Sequence, residues 1–394
     1  MRALTLDDLN EAVRVGGANS LTERIEMVPA GGDESIVAPA KYTNGSAATY
    51  VIEKRYIDNK ACKTVLIDAK TSHANRLEKT ITDAIKDGDG LLARMPRICV
   101  SYQTEAGERR FLDTELPHRA FDGHVRVGTH DGQPTSRSER YTAARNCTLD
   151  NLMPLFDLSP DTVAFGGWDS TRSRNQLRIP SVFGGEIIGV LAEQGDGDPV
   201  VHRAGARVDP VESSVVVANR KDREKITDGA DLSESTRKKF ESNGKGSSIG
   251  LGAIPPNAGD TVLDGVAVSR TLCIHVLSFA TLRSFRFGKG KEGDAAIRAL
   301  IAAVILRAMV GFNADPVLRA NCFLNEKEAP TFTLNGRFGK DDVELEPLTI
   351  ETAEALLQEA YEQAHDKAGI DWQGQVFEVQ GNPEVLRNSS ADEE

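Results

Sequence analysis

The chain has 394 residues, 40% hydrophobic but only 6% aromatic, with 35 glycines, a balance that favours a mixed fold rich in turns over a helical bundle. Its formal net charge of −12 argues at first sight against a polyanionic partner. Residues 341–394, however, hold fifteen Asp and Glu against Lys367 and Arg387, a net −13 that leaves residues 1–340 at +1, and a near-neutral body can carry basic grooves.

In chain order, residues 5–14 read as a short amphipathic helix and 27–49, rich in Gly, Pro, Ala and Thr, as a surface loop. Ala48 to Tyr56 and Lys63 to Asp68 read as strands, and Ser72 to Ile85 as a helix capped by Thr71 or Ser72. The first turn of that helix presents Ser72, His73, Asn75 and Arg76, a candidate anion site at a helix N-terminus. Residues 103–148 are polar and rich in basic residues and histidine. Thr162 to Phe165 is expected to be a buried strand, followed by Gly166 and Gly167; Ile179 to Ala192 is apolar again, strand or helix. Residues 193–262 form a charged excursion, either a disordered surface loop or an arm acting on a neighbour, with a mixed-charge helix at Leu232 to Ser242. An apolar stretch from Gly265 to Phe287, a buried helix near 295–310 and a final helix over Ile350 to Ala368 complete the reading. Irregular alternation of strands and helices predicts an α+β fold with long insertions.

Five cysteines with no C-x-x-C pair suit a reduced compartment. The opening Met1 to Asp8 is too acidic for a leader, and Ala295 to Phe312, with Arg298 and Arg307, is too short and charged to span a bilayer, so the expected location is the cytoplasm.

The stretch Phe165 to Arg178 carries the strongest chemical signal. Arg172, Arg174 and Arg178 offer planar forks matched to phosphate oxygens, Ser170, Thr171 and Ser173 offer hydroxyls, and Trp168 offers a face for a base. The same residues also fit a surface ion-pair cluster around a core tryptophan. Lys41 beside Tyr42, and Arg283, Arg286, Lys289 and Lys291 around Phe285 and Phe287, are further basic-aromatic clusters. Competing chemistries fare worse. Around Asn243-Gly-Lys-Gly-Ser a phosphate loop would need glycine at Lys239 and Ser or Thr at Gly246. Gly246 to Gly250 spells a G-x-S-x-G around Ser248, without the preceding buried strand that a nucleophile elbow needs. His118, His124 and His130, six apart with Asp122 and Asp131 among them, match no ligand spacing.

Taken in order, Asp68-Ala-Lys-Thr-Ser-His-Ala-Asn-Arg-Leu-Glu78, Leu116-Pro-His-Arg-Ala-Phe-Asp122 with Arg126, Phe165-Gly-Gly-Trp-Asp-Ser170, Arg178 to Ser181 with Glu186, Gly250-Leu-Gly-Ala-Ile-Pro-Pro256, and Leu277 to Phe287 resemble the backbone subunit of the type I-G (formerly I-U) CRISPR Cascade. The resemblance spans roughly residues 27–325. It implies membership of the RAMP superfamily, with a modified ferredoxin-like or RNA-recognition-motif palm over 1–340. A thumb is expected within 193–260 (127–148 is the other choice), a finger-like insertion at about 103–148, and an acidic helical extension at 341–394. It further implies a non-catalytic protein without cofactor or metal. Copies would stack along CRISPR RNA, whose guide bases pair with target DNA, in company with other Cascade subunits and away from any membrane. By that resemblance, Asn75, Arg76, Arg119, Arg172, Arg174 and Arg178 contact RNA phosphates, Ser72, Ser170 and His118 are shorter donors, and Lys41 and Trp168 join the site. Asp68, Asp122 and Asp169 orient the arginines. The alternative is a metal-dependent RNA endonuclease of the same superfamily, with Asp122 or Asp169 as its carboxylate.

Overall fold

Alternation of side chains builds the main sheet. Along Ser20–Pro29 (β1), Leu21, Glu23, Ile25 and Met27 are buried while Thr22, Arg24 and Glu26 turn to the other face, the two-residue period of a strand covered on one side. A computed structural model describes residues 1–389 other than 46, 105, 175, 212–215 and 260–261. Its largest sheet adds Ile52–Ile57 (β2), Lys60–Asp68 (β3), Phe183–Leu191 (β4), Val268–Ser278 (β5), Leu324–Glu326 (β6), Thr331–Asn335 (β7) and Val343–Leu345 (β8). The spatial order is β8-β7-β1-β5-β4-β3-β2, with β6 also on β1, and every pairing is antiparallel.

The helices packed around this sheet are Leu6–Ala12 (α1), Lys70–Asp87 (α2), Gly290–Ala314 (α3) and Ile350–Ala368 (α4). Helix α3 runs for 25 residues, beyond the shorter run read from the sequence, and by length and composition could cross a bilayer, a correction to that reading; yet it is mostly buried inside the fold, against α2 and α4, as expected of a core helix. Its two arginines are taken up locally: Arg298 donates to the Phe285 carbonyl at 2.8 Å and Arg307 to Glu354 at 2.7 Å. Within the whole, β1, α2, β4, β5, α3 and β7 follow one another as a β-α-β-β-α-β unit with strand order β7-β1-β5-β4. The β2–β3 hairpin is inserted before α2 and extends the sheet past β4. Two long insertions, 88–182 and 192–267, flank β4.

Residues 341–389, the described part of the acidic segment, do not stand outside this core. They supply β8, then α4 against α3, then Val376–Gln380, which pairs parallel with Arg97–Thr104 inside a second, five-stranded sheet. Trp372 and Phe377 are buried there, and Phe377 stacks on His130 with ring centroids 4.0 Å apart.

The helices over 295–310 and 350–368, the strand ending at Asp68 and the helix at Glu234–Asn243 lie where the sequence pattern puts them, and the 179–192 stretch, read as strand or helix, is a strand over 183–191. Four readings are corrected. Thr162 to Phe165 is the body of a helix, Pro160–Phe165, because Ser159 caps it by accepting the Thr162 amide and Pro160 occupies the first turn. Helix α2 starts at Lys70 behind Ala69 with no side-chain cap; Ser72 instead donates to Asp68 at 2.8 Å. The 27–49 loop contains a small hairpin, Tyr42–Asn44 with Ala47–Thr49. The strand read as Ala48 to Tyr56 is broken at Tyr50, and its second half is β2. Among its described residues the 193–262 excursion carries regular elements: Val200–His202 pairs with Leu263–Val266, and helices Arg220–Thr227 and Glu234–Asn243 lie between them.

If the acidic segment is part of the core, Phe377→Ala should lower the unfolding free energy by about 3–5 kcal/mol, measured by denaturant titration. A change below about 0.5 kcal/mol, the range of a surface substitution, would show that the segment is dispensable.

Candidate nucleic-acid interface

Helix Pro160–Phe165 stops at Gly166, whose φ of +86° places the chain in the left-handed region, and a Cβ there would lie 2.8 Å from the Ser181 amide nitrogen. Glycine is required at that turn. The chain then forms a hairpin. Gly167–Trp168 pairs with Arg178–Ile179, the Asp169 amide donates to the Leu177 carbonyl at 2.9 Å, and Gln176 closes the tip on the Ser170 and Arg172 carbonyls. Trp168 is 48% exposed, and the Arg178 guanidinium carbon lies 4.1 Å from its ring centroid, a cation-π stack on the surface. Trp168 is therefore not a core residue.

The hairpin base is held by buried charge. Asp169, fully buried, accepts from Arg145 at 2.7 Å and lies 3.5 Å from Arg126. Arg172 hooks the hairpin to the end of helix Glu139–Arg145, donating to the Arg145 carbonyl at 2.7 Å and to Asn146 Oδ1 at 2.5 Å. Arg119 lies beneath: its guanidinium donates through two nitrogens to the Glu78 carboxylate of α2 and at 3.0 Å to the Gly166 carbonyl, with Asp161 at 3.7 Å. Burial pushes the neighbouring Asp113 carboxyl up to about 7, and burial followed by the Glu78 charge pushes Asp161 well above the ordinary carboxylate range.

A second cluster forms at the start of α2. Asp68 is fully buried and accepts from Ser72, from Arg76 at 2.8 Å and from Arg319 at 3.1 Å. Arg76 also donates to the Val317 carbonyl at 2.6 Å. The Ala40 amide donates to the Ile67 carbonyl at 3.3 Å, which brings exposed Lys41 alongside this cluster.

The residues singled out from sequence thus divide by environment. Lys41, Asn75, His118, Trp168, Ser170, Arg174 and Arg178 present exposed side chains. Ser72, Arg76, Arg119 and Arg172 are committed to partners within the fold. Asp68 holds Arg76, one of the arginines assigned to RNA from sequence, while Asp169 holds Arg145 and Arg126, which were not among them, and Asp122 caps helix Gly123–Val127, accepting the His124 amide at 2.9 Å and the His118 amide at 3.1 Å. His124 bonds Tyr102 and His130 bonds the Glu378 carbonyl, so the evenly spaced histidines do not converge. Ser248 follows a helix and sits in a 3-10 turn with Asn243 as its hydrogen-bond partner. Arg283 is also internal, donating to the Ala12 and Ala18 carbonyls. Sequence reasoning missed Arg145 and Arg319, which complete the two carboxylate clusters; Arg319 lies 251 residues from Asp68, and no local signal joins them.

With this geometry in place, comparison with known proteins adds one finding. Residues 21–194, which contain β1 to β4, α2 and the whole hairpin, match the family model described as CRISPR-associated protein GSU0053. No curated protein matches the chain.

Arg119→Ala, which strands Glu78 beside two other buried carboxylates, should cost about 3–5 kcal/mol. Arg174→Ala should stay within about 0.5 kcal/mol of the parent; equal effects in thermal or denaturant unfolding would contradict the division drawn above. The raised Asp113 carboxyl keeps its proton in the folded state while the unfolded chain loses its proton near pH 4, so stability should fall as pH rises from about 4 to 7, by at most about 1.4 kcal/mol per unit. Asp113→Asn should flatten that slope, and an unaltered pH profile in the variant would remove Asp113 as its source.

Proposed function

We propose, from the premise that this chain belongs over residues 21–194 to a CRISPR-associated protein family, that it is a non-catalytic RNA-binding scaffold of a Cascade complex of type I-G. Copies line up along the spacer part of a CRISPR RNA, hold its backbone and leave guide bases free to pair with invading DNA in antiviral defence.

The observation that carries this reading is the hairpin Gly167–Ile179: it offers Arg174 and the Trp168–Arg178 stack to solvent while buried ion pairs fix its base. Exposed cations on a rigid support suit a phosphate chain, and an exposed aromatic suits an unstacked base. Two features of the fold support it. The strand order β7-β1-β5-β4, with helices after β1 and β5, is that of a ferredoxin-like palm. The arm at 193–262 leaves Val208, Val211 and Ile254 more than half exposed, surface suited to covering by a neighbouring copy. In this reading the arm is the thumb and 103–148 the finger. Asp122 and Asp169, the carboxylates of the alternative nuclease, are occupied by helix amides and by arginines.

Binding of a labelled guide RNA, followed across a salt series, tests the proposal. Arg174→Ala and Arg178→Ala should each weaken binding for any RNA sequence and reduce the slope of log affinity against log salt by about 0.7. Unchanged affinity and slope in both would sink the interface, and metal-dependent RNA cleavage lost on Asp122→Ala would replace the scaffold by the nuclease.

A further inference from the structure

Inside the helix-facing layer of the main sheet, three side chains converge that the interface does not use. His73 projects from α2, and Cys273 and His275 from neighbouring same-face positions of β5. The two histidine Nε2 atoms are 2.7 Å apart, and Cys273 Sγ lies 3.3 Å from that of His275 and 4.0 Å from that of His73. All three side chains are buried.

Each histidine is held from behind by a buried carboxylate. His73 Nδ1 is 3.1 Å from Asp68 Oδ2, and His275 Nδ1 is 2.7 Å from Glu23 Oε2, which also accepts from Asn313 at 2.8 Å. An ionised carboxylate only accepts, so both Nδ1 atoms carry hydrogen and two neutral rings would point bare Nε2 lone pairs at each other. That arrangement calls for a cation between them. A proton would serve the two nitrogens, whereas a metal ion would use both nitrogens and the sulfur.

The chemistry and the spacing favour the metal. Two imidazoles and a thiolate are a ligand set for zinc-like ions, not for magnesium or calcium, and a carboxylate behind each histidine is the arrangement that orients metal-bound imidazoles. Tetrahedral zinc with Zn–N near 2.0 Å and Zn–S near 2.3 Å separates its ligands by about 3.4 Å (N to N) and 3.6 Å (N to S), each within about 0.7 Å of the distances above. Gly185, opposite His275 in the sheet register, leaves room for the His73 ring: a Cβ there would lie 2.5 Å from His73 Cδ2. Phe312 and Phe183 close the pocket, their ring centroids 4.7 and 6.2 Å from that of His73.

We propose that His73, Cys273 and His275 bind one zinc-class transition-metal ion, with Asp68 and Glu23 as positioning residues, and that the ion fastens the first turns of α2 to the centre of the sheet.

The test uses the full chain, free of any purification tag, with Zn²⁺ or Co²⁺ as the probe. Elemental analysis of the zinc-loaded protein should find about one equivalent per chain, and the cobalt form should show thiolate-to-cobalt charge-transfer absorption that disappears in Cys273→Ser. Glu23→Gln should weaken zinc binding by about 10- to 100-fold in chelator competition. A folded chain that holds only trace metal after exposure to either ion, or a Cys273→Ser variant with unchanged metal content and cobalt spectrum, would overturn the proposal and leave a shared proton between the histidines.

Discussion

The placement of the candidate interface depends on one partly buried guanidinium. Arg119 is clamped by Glu78 of α2, bonded to the Gly166 carbonyl at the hairpin base and stacked with its carbon 5.9 Å from the centroid of Phe165. Its backbone has a φ of +51°, a conformation that costs a non-glycine residue of order 1–3 kcal/mol. Glycine would relieve that strain but lose the side chain that joins the helix, the turn at 119–121 and the hairpin. The strain is thus offset by a link made between three elements far apart in sequence.

Charge is distributed by the same logic. The acidic C-terminal segment uses part of its charge on partners within the chain: Glu354 takes Arg307 and the Leu91 amide, and Glu378 takes Arg110 at the surface. Asp68, Glu78 and Asp169 each absorb at least one arginine of the motifs. Among the described residues, Lys41 and Arg174 lie in no ion pair, and Arg178 meets an aromatic face instead of a carboxylate. An overall net charge of −12 is therefore compatible with a local cationic edge, because the acids sit where they neutralise structural arginines.

What could be read from the sequence follows the range of the interactions involved. Long apolar or alternating runs declared themselves: the buried helix of 290–314 and the helix of 350–368 depend on periodicity that local sequence carries, whereas 179–192, mostly apolar, reads as strand or helix and is settled as a strand over 183–191 by the sheet. Thr162 to Phe165 is a helix and not the expected strand because a stretch of four residues fits either period, and the deciding Ser159 cap lies outside it. The motif arginines were found but not sorted, since Arg119, Arg172 and Arg174 look alike in sequence and differ only in which distant carboxylate or carbonyl reaches them. His73, Cys273 and His275 could not be joined at all: 200 residues separate His73 from Cys273, and topology alone brings them to one point.

Helix α2 is where these arrangements meet. His73 faces inward to the sheet, Arg76 three residues later turns to Asp68, which also accepts from Arg319, and Glu78 two residues beyond that reaches Arg119. An ion at His73 would act on the same two turns that carry Arg76 and Glu78, so its effect on the proposed RNA binding would be one of position, without charge placed at the surface. Loss of the ion would then weaken binding by loosening the support of the hairpin while the exposed Arg174 and Arg178 stayed chemically intact. The salt slope, which counts phosphate contacts, separates the two cases: removing an arginine lowers it, whereas loosening its support lowers affinity with the slope largely kept.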